Sequence, residues 1–263
     1  MKYTLLEIVQ EILSDMDSDE VNSIDDTVES QQVASIVRSA YMAIMSNRNW
    51  AHSRKLVNLV NSTTPAQPTH MYLKSPIKEM VYVNYNCVKP DQPNRRIYQT
   101  MKWLDPDAFL RRQNALNSDL SNVDVIQDPT GIELLIRNDK NPEYFTSFDD
   151  NVLVFDSYLA SVENTIQSSK VQACAYMMPT WTHLDDAVPD LPDEAFTLLI
   201  EEAKSRAMLR LKQVADQKSE QEARRQNQWL SRKQWRVNGG VKYPNYGRSS
   251  RKGPRDKTFE RND

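Results

Sequence analysis

Basic and aromatic residues alternate near the C-terminus of the chain, in a pattern that suits binding to another macromolecule. Nucleic acid is one such partner, because cations contact phosphates and rings stack on bases. An acidic groove on a protein is another, because aromatic residues and arginines dominate binding hot spots. The third interpretation is a solvated tail without a partner. The five aromatic residues argue against it, because disordered linkers are poor in such residues. The residues that we predict to dock on a partner are Arg224, Arg225, Trp229, Arg232, Trp235, Arg236, Tyr243, Tyr246, Arg248, Arg251 and Phe259.

Charge is divided unevenly along the chain. Residues 218–263 carry 13 basic and 5 acidic side chains, a net charge of +8. The preceding 217 residues carry 20 basic and 31 acidic side chains, a net charge of −11. Because an acidic body with a basic appendage attracts partners electrostatically, this pattern favours a binding role for residues 218–263.

An acidic loop near the N-terminus has part of the pattern of a calcium-binding loop. Asp15, Asp17 and Asp19 have the opening spacing of an EF-hand loop, and Asp26 stands at its twelfth position. However, Glu20 occupies the position where the sharp turn needs glycine, and Asp26 is too short to serve as the bidentate glutamate. We therefore interpret the loop as a solvated connection between helices or as a charged surface that faces a neighbouring subunit.

Patterns typical of catalysis and of cofactor binding are missing from the sequence. His52, His70 and His183 are scattered, and none has a partner at metal-ligand spacing. There is no glycine-rich phosphate loop, nucleophile elbow or H-E-x-x-H motif. Cys87 and Cys174 each lie in an apolar run and are predicted to be buried thiols rather than a disulfide or a metal pair. The sequence therefore predicts no enzyme, no metal site and no cofactor, although carboxylates paired only by the fold escape this test.

Membrane insertion is not predicted. No apolar run approaches the roughly 20 residues that cross a bilayer. Residues 1–7 indicate the start of an amphipathic helix rather than a signal peptide. We expect a soluble protein that is made for use in a cytoplasm.

Two amphipathic helices are predicted in the first 50 residues. The first covers residues 3–14, where apolar residues recur at helical spacing. The second begins at Asp26, which we expect to cap it, with Glu29 completing a capping box. Trp50 follows this helix and is expected to fill the core at its end.

Residues 50–178 show the patterns of short β-strands. The turn at residues 127–131 is predicted to join two of these strands as a hairpin. One helix interrupts the region, with Asp105 as its cap, Pro106 at its first position, and Phe109 and Leu110 on its inner face. The predicted strands cover residues 56–60, 79–83, 122–126, 132–136 and 152–155.

The last helix is predicted to be very long. It opens near residue 191 with a proline and acidic residues in its first turn. Helix-forming residues continue to Trp235, which gives a length of about 65 Å at about 1.5 Å per residue. The apolar stripe stops near Val214, so we expect the polar half to rest on another molecule.

These elements predict an α+β fold, with a helical bundle, an inserted small β domain and an extended C-terminal helix plus tail. The bundle is assigned to residues 1–50 and 185–217. The β-rich domain, with its one helix, is assigned to residues 51–184. Residues 218–263 are assigned to the polar helix extension and the basic docking tail.

Three parts of the sequence resemble the head-to-tail adaptor (connector) proteins of tailed bacteriophages, especially the tail tubular protein A group of short-tailed phages. Residues 33–50, from VASIVR to SNRNW, resemble that family's early helix, which ends in a polar turn and a tryptophan. Residues 77–83, IKEMVYV, are similar to the strand that opens its β region. Residues 191–207, from LPDEAF to AKSRA, resemble its late helix, which begins at a proline. The likeness covers the order of elements from about residue 5 to residue 212, and the shorter members lack the long polar helix and basic tail.

The resemblance implies a structural protein in the neck or tail of a virion that is assembled in a bacterial cytoplasm. It implies a homo-oligomeric ring of about 12 copies that binds the portal, receives the tail nozzle and extends the DNA channel. Genome DNA would pass through the channel without sequence-specific binding, because an acidic body repels phosphates. Related connectors anchor to the portal through C-terminal segments, so the docking residues are predicted to bind the portal. The alternative is a nucleic-acid-binding protein that uses its basic aromatic tail.

Overall fold

The computed structural model describes residues 2–87, 96–149 and 151–236, and these residues form an α+β fold. Four of the helices flank the strand-rich middle of the chain, and the third lies within it. A π-helical turn, Met208–Lys212, follows the fourth helix. The α-helices are α1 (Leu5–Asp15), α2 (Val28–Ser46), α3 (Pro106–Gln113), α4 (Phe196–Ala207) and α5 (Gln217–Arg236).

Eleven strands are found in the described part of the chain, all between α2 and α4. They are β1 (Arg54–Val57), β2 (Leu59–Asn61), β3 (His70–Leu73), β4 (Ile77–Asn86), β5 (Tyr98–Thr100), β6 (Lys102–Trp103), β7 (Val123–Gln127), β8 (Glu133–Arg137), β9 (Tyr144–Asp149), β10 (Val152–Phe155) and β11 (Val171–Met177).

The strands form two larger sheets and one separate hairpin. The four-stranded sheet has the order β1-β11-β4-β5 and is antiparallel throughout. The five-stranded sheet has the order β2-β3-β10-β9-β6, in which β6 and β9 pair in parallel. The β7–β8 pair is antiparallel and forms the hairpin. Single residues separate β1 from β2 and β5 from β6, so the chain passes directly from one sheet to the other at both places.

Three hydrophobic clusters lie at the centre of these elements. The helical core contains apolar residues of α1, α2, α4 and α5. A second core contains residues of both larger sheets, such as Val83 and Phe155. A third core lies under the hairpin, where Ile126 and Ile136 pack with Phe109 of α3. Burial of apolar surface at about 25 cal/mol per Å² is the main stabilising term in each.

The first two helices begin at threonine caps. The hydroxyl of Thr4 accepts a hydrogen bond from the N–H of Glu7, whose carboxylate accepts one from the N–H of Thr4. Thr27 and Ser30 form the same reciprocal box at the start of α2. The predicted cap at Asp26 is therefore wrong by one residue, and the partner of the cap is Ser30 rather than Glu29.

Trp50 fills the end of the helical core, as predicted. Its side chain is 1% exposed, and its indole N–H donates to the carbonyl oxygen of Ile44 at 3.0 Å. This hydrogen bond satisfies the only polar atom of the ring, which removes the cost of burying it.

The C-terminal helices differ from the single extended helix that the sequence predicts. After the π-helical turn, Gln213 adopts a left-handed conformation (φ 56°), and the chain reverses before Gln217. Helix α5 then packs back against α4, and its residues Ala223 and Leu230 are buried in the helical core. The expected helix of about 65 Å, with a polar half that leaves the body, is therefore wrong. Helix α5 is rich in polar residues because only a narrow stripe of its surface is buried.

Each of the predicted strand regions contains a strand in the structure. The predicted run at residues 56–60 is two strands, which are separated at Asn58. The hairpin turn is confirmed, and Gly131 has the positive φ (85°) that such a turn requires. The sequence did not predict β3, β5, β6, β9 and β11. Assignment of the chain to separate domains stays a prediction.

Candidate docking surface

Helix α5 carries six of the predicted docking residues, and it begins at a capped turn. Asp216 accepts hydrogen bonds from the N–H groups of Lys218 and Ser219 at 3.1 and 3.2 Å. Its second oxygen accepts from the Ser219 hydroxyl at 2.8 Å. The hydrogen bonds from Ser219 lower the pKa of Asp216 below its ordinary value. Because a carboxylate satisfies the free N–H groups at a helix N-terminus, Asp216 fixes the start of α5.

The inner face of α5 is attached to the helical core at several points. Ala223 and Leu230 are buried there. The guanidinium of Arg48, just beyond α2, donates to the carbonyl oxygen of Asn227 at 3.4 and 3.5 Å. The same guanidinium lies 5.0 Å from the centroid of the Trp50 ring, within cation–π range. These contacts give α5 a fixed position on the body.

The outer face of α5 is basic and carries a large aromatic side chain. Arg225, Trp229 and Arg232 follow one another at intervals of four and three residues, so they lie along one side of the helix. The side chain of Trp229 is 49% exposed. An exposed tryptophan between arginines has the composition of an interface hot spot. We call this set, together with Arg224, the basic face of α5.

Two residues of the basic face also form salt bridges within the helix. Arg224 contacts Glu220 at 2.5 Å, and Arg225 contacts Glu222 at 3.2 Å. Both arginine side chains are about three-quarters exposed. Exposed pairs of this kind contribute only about 0.3–0.5 kcal/mol. A carboxylate of a partner could therefore replace either glutamate at little cost.

The other predicted docking residues lie at or beyond the end of α5. Trp235 and Arg236 belong to its last turn. The structure therefore brings six of the eleven predicted residues onto one helix. Tyr243, Tyr246, Arg248, Arg251 and Phe259 lie outside the described residues.

The acidic loop after α1 uses its carboxylates to hold protein groups. Asp15 binds Lys204 of α4 at 2.6 Å. Burial by itself lowers the pKa of Lys204, but the hydrogen bond and the charge of Asp15, with smaller contributions from Glu201 and Asp216, outweigh it, and the pKa is raised overall. Asp26 accepts hydrogen bonds from the N–H groups of Asn22 and Ser23 at 2.7 and 2.8 Å. Across residues 2–87, 96–149 and 151–236, no group of three or more His, Cys, Asp or Glu side chains could hold a metal ion.

The three histidines have different environments. Nε2 of His70 lies 2.9 Å from Oδ1 of Asp128, and both side chains are buried. Nε2 of His52 lies 2.9 Å from the carbonyl oxygen of Asp190, and burial lowers the pKa of His52. His183 is exposed. The sequence offered no sign of the His70–Asp128 pair, because 58 residues separate its members.

Both cysteines are buried and free, as predicted. Burial raises the pKa of the Cys87 thiol, which favours the neutral, unreactive form. Among the helices that the structure describes, none is long and apolar enough to cross a membrane.

An open cavity of about 510 Å³ lies between the two larger sheets. Apolar side chains form most of its lining, including those of Leu73, Val81, Trp103 and Leu153. The ring of Trp103 is half exposed and meets Phe145 edge to face, with 5.3 Å between the ring centroids. No sequence pattern indicated this cavity, because six separate strands contribute to it.

The sequence was compared with protein-family models and with curated proteins, and neither comparison found a match.

Proposed function

We propose that this chain is the adaptor subunit of a tailed bacteriophage, a structural protein of the virion neck rather than an enzyme. About 12 copies form a ring that joins the portal to the tail nozzle and extends the DNA channel. In this proposal α1, α2, α4 and α5 form the helical bundle of the subunit. The residues between α2 and α4 form its inserted β domain.

The position of α5 is the observation that carries the proposal. This helix is fixed to the body by Ala223, Leu230 and the Arg48–Asn227 hydrogen bonds. Residues 237–263, which we call the C-terminal segment, continue from its end with seven basic and three acidic side chains. A rigid helix that delivers a basic, tyrosine-containing segment suits attachment to a partner ring. Repetition around the ring would turn a weak contact of each segment into a permanent joint.

Charge supports the same assignment of roles. Residues 1–217 have a net charge of −11. Carboxylates repel phosphates, so this part of the subunit can surround a DNA channel without binding the genome. The C-terminal segment docks in grooves between portal subunits, together with Trp235 and Arg236 just before it. No membrane takes part in this arrangement.

A truncation after Arg236 tests the proposal. The truncated protein keeps every described element, and we expect it to fold but to lose its joint with portal-containing capsids. Full-length protein carrying alanine at Tyr243, Tyr246 and Phe259 should show the same defect with an intact backbone. Electron microscopy of capsids mixed with each protein gives the fraction that carries a collar. If the truncated protein still forms collars, the proposed docking role is wrong.

Binding of nucleic acid is the second candidate, and the basic face of α5 favours it. Cations of this kind contact phosphates, and Trp229 could stack on a base. On this alternative, the full-length protein binds DNA with an affinity that falls steeply with salt, and it forms no collar on capsids. Fluorescence anisotropy with labelled DNA at several salt concentrations separates the two functions.

A further inference from the structure

The β7–β8 hairpin and the basic face of α5 have opposite charges. Residues 117–139, which contain the hairpin, carry five acidic side chains and one basic side chain. Helix α5 carries six basic and two acidic side chains. The two elements have net charges of −4 and +4, and they pack on different hydrophobic cores of the chain.

The outer face of the hairpin and the loop before it carry exposed apolar side chains and two exposed carboxylates. Val125 pairs with Leu135 and Gln127 pairs with Glu133, so these four side chains lie on the side opposite buried Ile126. The exposed apolar and acidic side chains of this surface and its margins are those of Asp119, Leu120, Val125, Ile132 and Glu133. We call them the hairpin surface.

The hairpin surface is rigid because its inner side is anchored. Ile126 and Leu134 are buried in the third core. Oδ2 of Asp124 accepts a hydrogen bond from the hydroxyl of Tyr158 at 2.5 Å, and Asp128 is paired with His70. Three aliphatic side chains nevertheless remain more than half exposed, at 52% for Leu120, 52% for Val125 and 55% for Ile132. Exposed apolar groups with polar groups at their rim are typical of an interaction site.

We propose that the hairpin surface of one copy binds the basic face of α5 on a neighbouring copy. Trp229 packs on Val125, while Arg225 and Arg232 face Glu133 and Asp119. A contact between two different surfaces of identical subunits is heterologous, and repetition of it generates a ring when the rotation closes. This inference rests on the proposed adaptor ring and identifies the contact that builds it. It assigns the basic face of α5 to the neighbouring subunit and leaves the residues from Trp235 onward for the portal.

Charge exchange tests the contact. We expect the double variant Arg225→Glu/Arg232→Glu to weaken self-association by at least about tenfold, because like charges then face each other. The double variant Asp119→Arg/Glu133→Arg should do the same. The chain that carries all four substitutions should assemble again. The matched control is Arg38→Glu/Arg210→Glu, which makes the same change of net charge at exposed positions of α2 and the π-helical turn.

Sedimentation velocity and electron microscopy of the full-length protein measure assembly, with and without portal. Circular dichroism checks that each variant is folded. A second measurement cross-links the variant Val125→Cys/Trp229→Cys with a short bismaleimide. Both native cysteines are buried, so the reagent should react with the two introduced cysteines. Contact between copies should give a ladder of cross-linked oligomers, and a contact within one copy should give none.

The outcomes separate this inference from the proposed function. One outcome is that rings form although the charge substitutions leave assembly unchanged and the cysteine variant gives no ladder of cross-linked oligomers. In that case the proposed subunit contact is wrong, and the proposed ring is retained. If the wild-type protein forms no ring, with or without portal, both the ring and the contact are wrong. If each double variant abolishes assembly and the quadruple variant restores it, the contact is established, whatever the C-terminal segment binds.

Discussion

Nε2 of His70 lies 2.9 Å from Oδ1 of Asp128, and neither side chain is more than 5% exposed. His70 belongs to β3 of the five-stranded sheet, and Asp128 belongs to the turn of the β7–β8 hairpin. Oδ2 of Asp128 accepts from the N–H and the hydroxyl of Thr130 at 3.0 and 2.6 Å. The pair therefore fixes the turn of the hairpin to the sheet beneath it.

Loss of Asp128 should destabilise the protein. The variant Asp128→Ala leaves buried His70 and exposed Thr130 without their acceptor. We expect it to lower the free energy of unfolding by about 1–3 kcal/mol, the usual cost of leaving a buried polar group without its hydrogen-bond partner. Urea denaturation measures this change, and His70→Leu should give a similar loss. If either single variant costs less than about 1 kcal/mol, the pair does not anchor the hairpin.

The same carboxylate should make stability depend on pH. Burial by itself raises the pKa of Asp128, but the hydrogen bonds from Thr130 and His70 outweigh it, and the pKa lies below its ordinary value. The contribution of Asp128 is therefore complete above the unfolded pKa of about 3.9 and is lost as pH falls through the lower folded value. Thermal unfolding between pH 5 and pH 2.5 should show this loss in the wild type. The variant Asp128→Asn should lack that part of the acid dependence.

Helix α5 should be needed for the stability of the helical core. The variant Leu230→Ala removes a buried side chain, and we expect a loss of about 2–5 kcal/mol in the free energy of unfolding. Hydrogen exchange should show faster exchange along α5 in this variant. The control Leu209→Ala removes a side chain that is 60% exposed, and it should change stability by less than about 0.5 kcal/mol.

Two truncations extend this prediction. Removal of residues 217–263 should uncover apolar surface of the core and yield an aggregating or strongly destabilised protein. Removal of residues 237–263 should leave the unfolding midpoint unchanged. Equal stability of the two truncated proteins would contradict the packing of α5 on α4. The sequence pattern instead predicted that the polar half of the last helix leaves the body and rests on another molecule.

Lys78 joins the β region to the end of α2. Its ammonium group donates to the carbonyl oxygens of Met45, Ser46 and Arg48 at 3.2, 2.9 and 2.9 Å. Because hydrogen bonds from a charged donor contribute about 1.5–3 kcal/mol, Lys78→Met should lower stability by an amount in that range. Lys74→Met is the control, since Lys74 is exposed in the loop before β4. Chemical denaturation of both variants compares them, and equal losses would mean that the carbonyl contacts are not stabilising.

The sequence predicted those elements whose signals are local. Apolar residues at helical spacing indicated α1 and α2, and the turn residues before Gly131 indicated the hairpin. Trp50 was recognised because it follows a helix end directly. Strands β9 and β11 were not predicted, because their burial depends on neighbouring strands that are distant in the sequence.

The reversal of the chain at Gln213 could not be read from helix propensity. Residues 208–236 contain no glycine or proline, and they consist mainly of good helix formers. One local signal was present, since Asp216 followed by Ser219 can cap a new helix. The buried pair of Ala223 and Leu230 is too sparse to indicate an inner face without the structure. The basic residues of α5 were predicted from composition. The packing of this helix on the helical core was not predicted.

The antiparallel packing of α5 on α4 also determines how the chain would respond to tension. A pull on the C-terminal segment along the axis of α5 loads the whole contact between the two helices in shear, so many contacts must break together. A pull across that axis would separate them one turn at a time, beginning with the last turn. The helix pair therefore resists a load along the axis of α5 better than a load across it. A partner that is attached at the end of α5 would pull along the resistant direction.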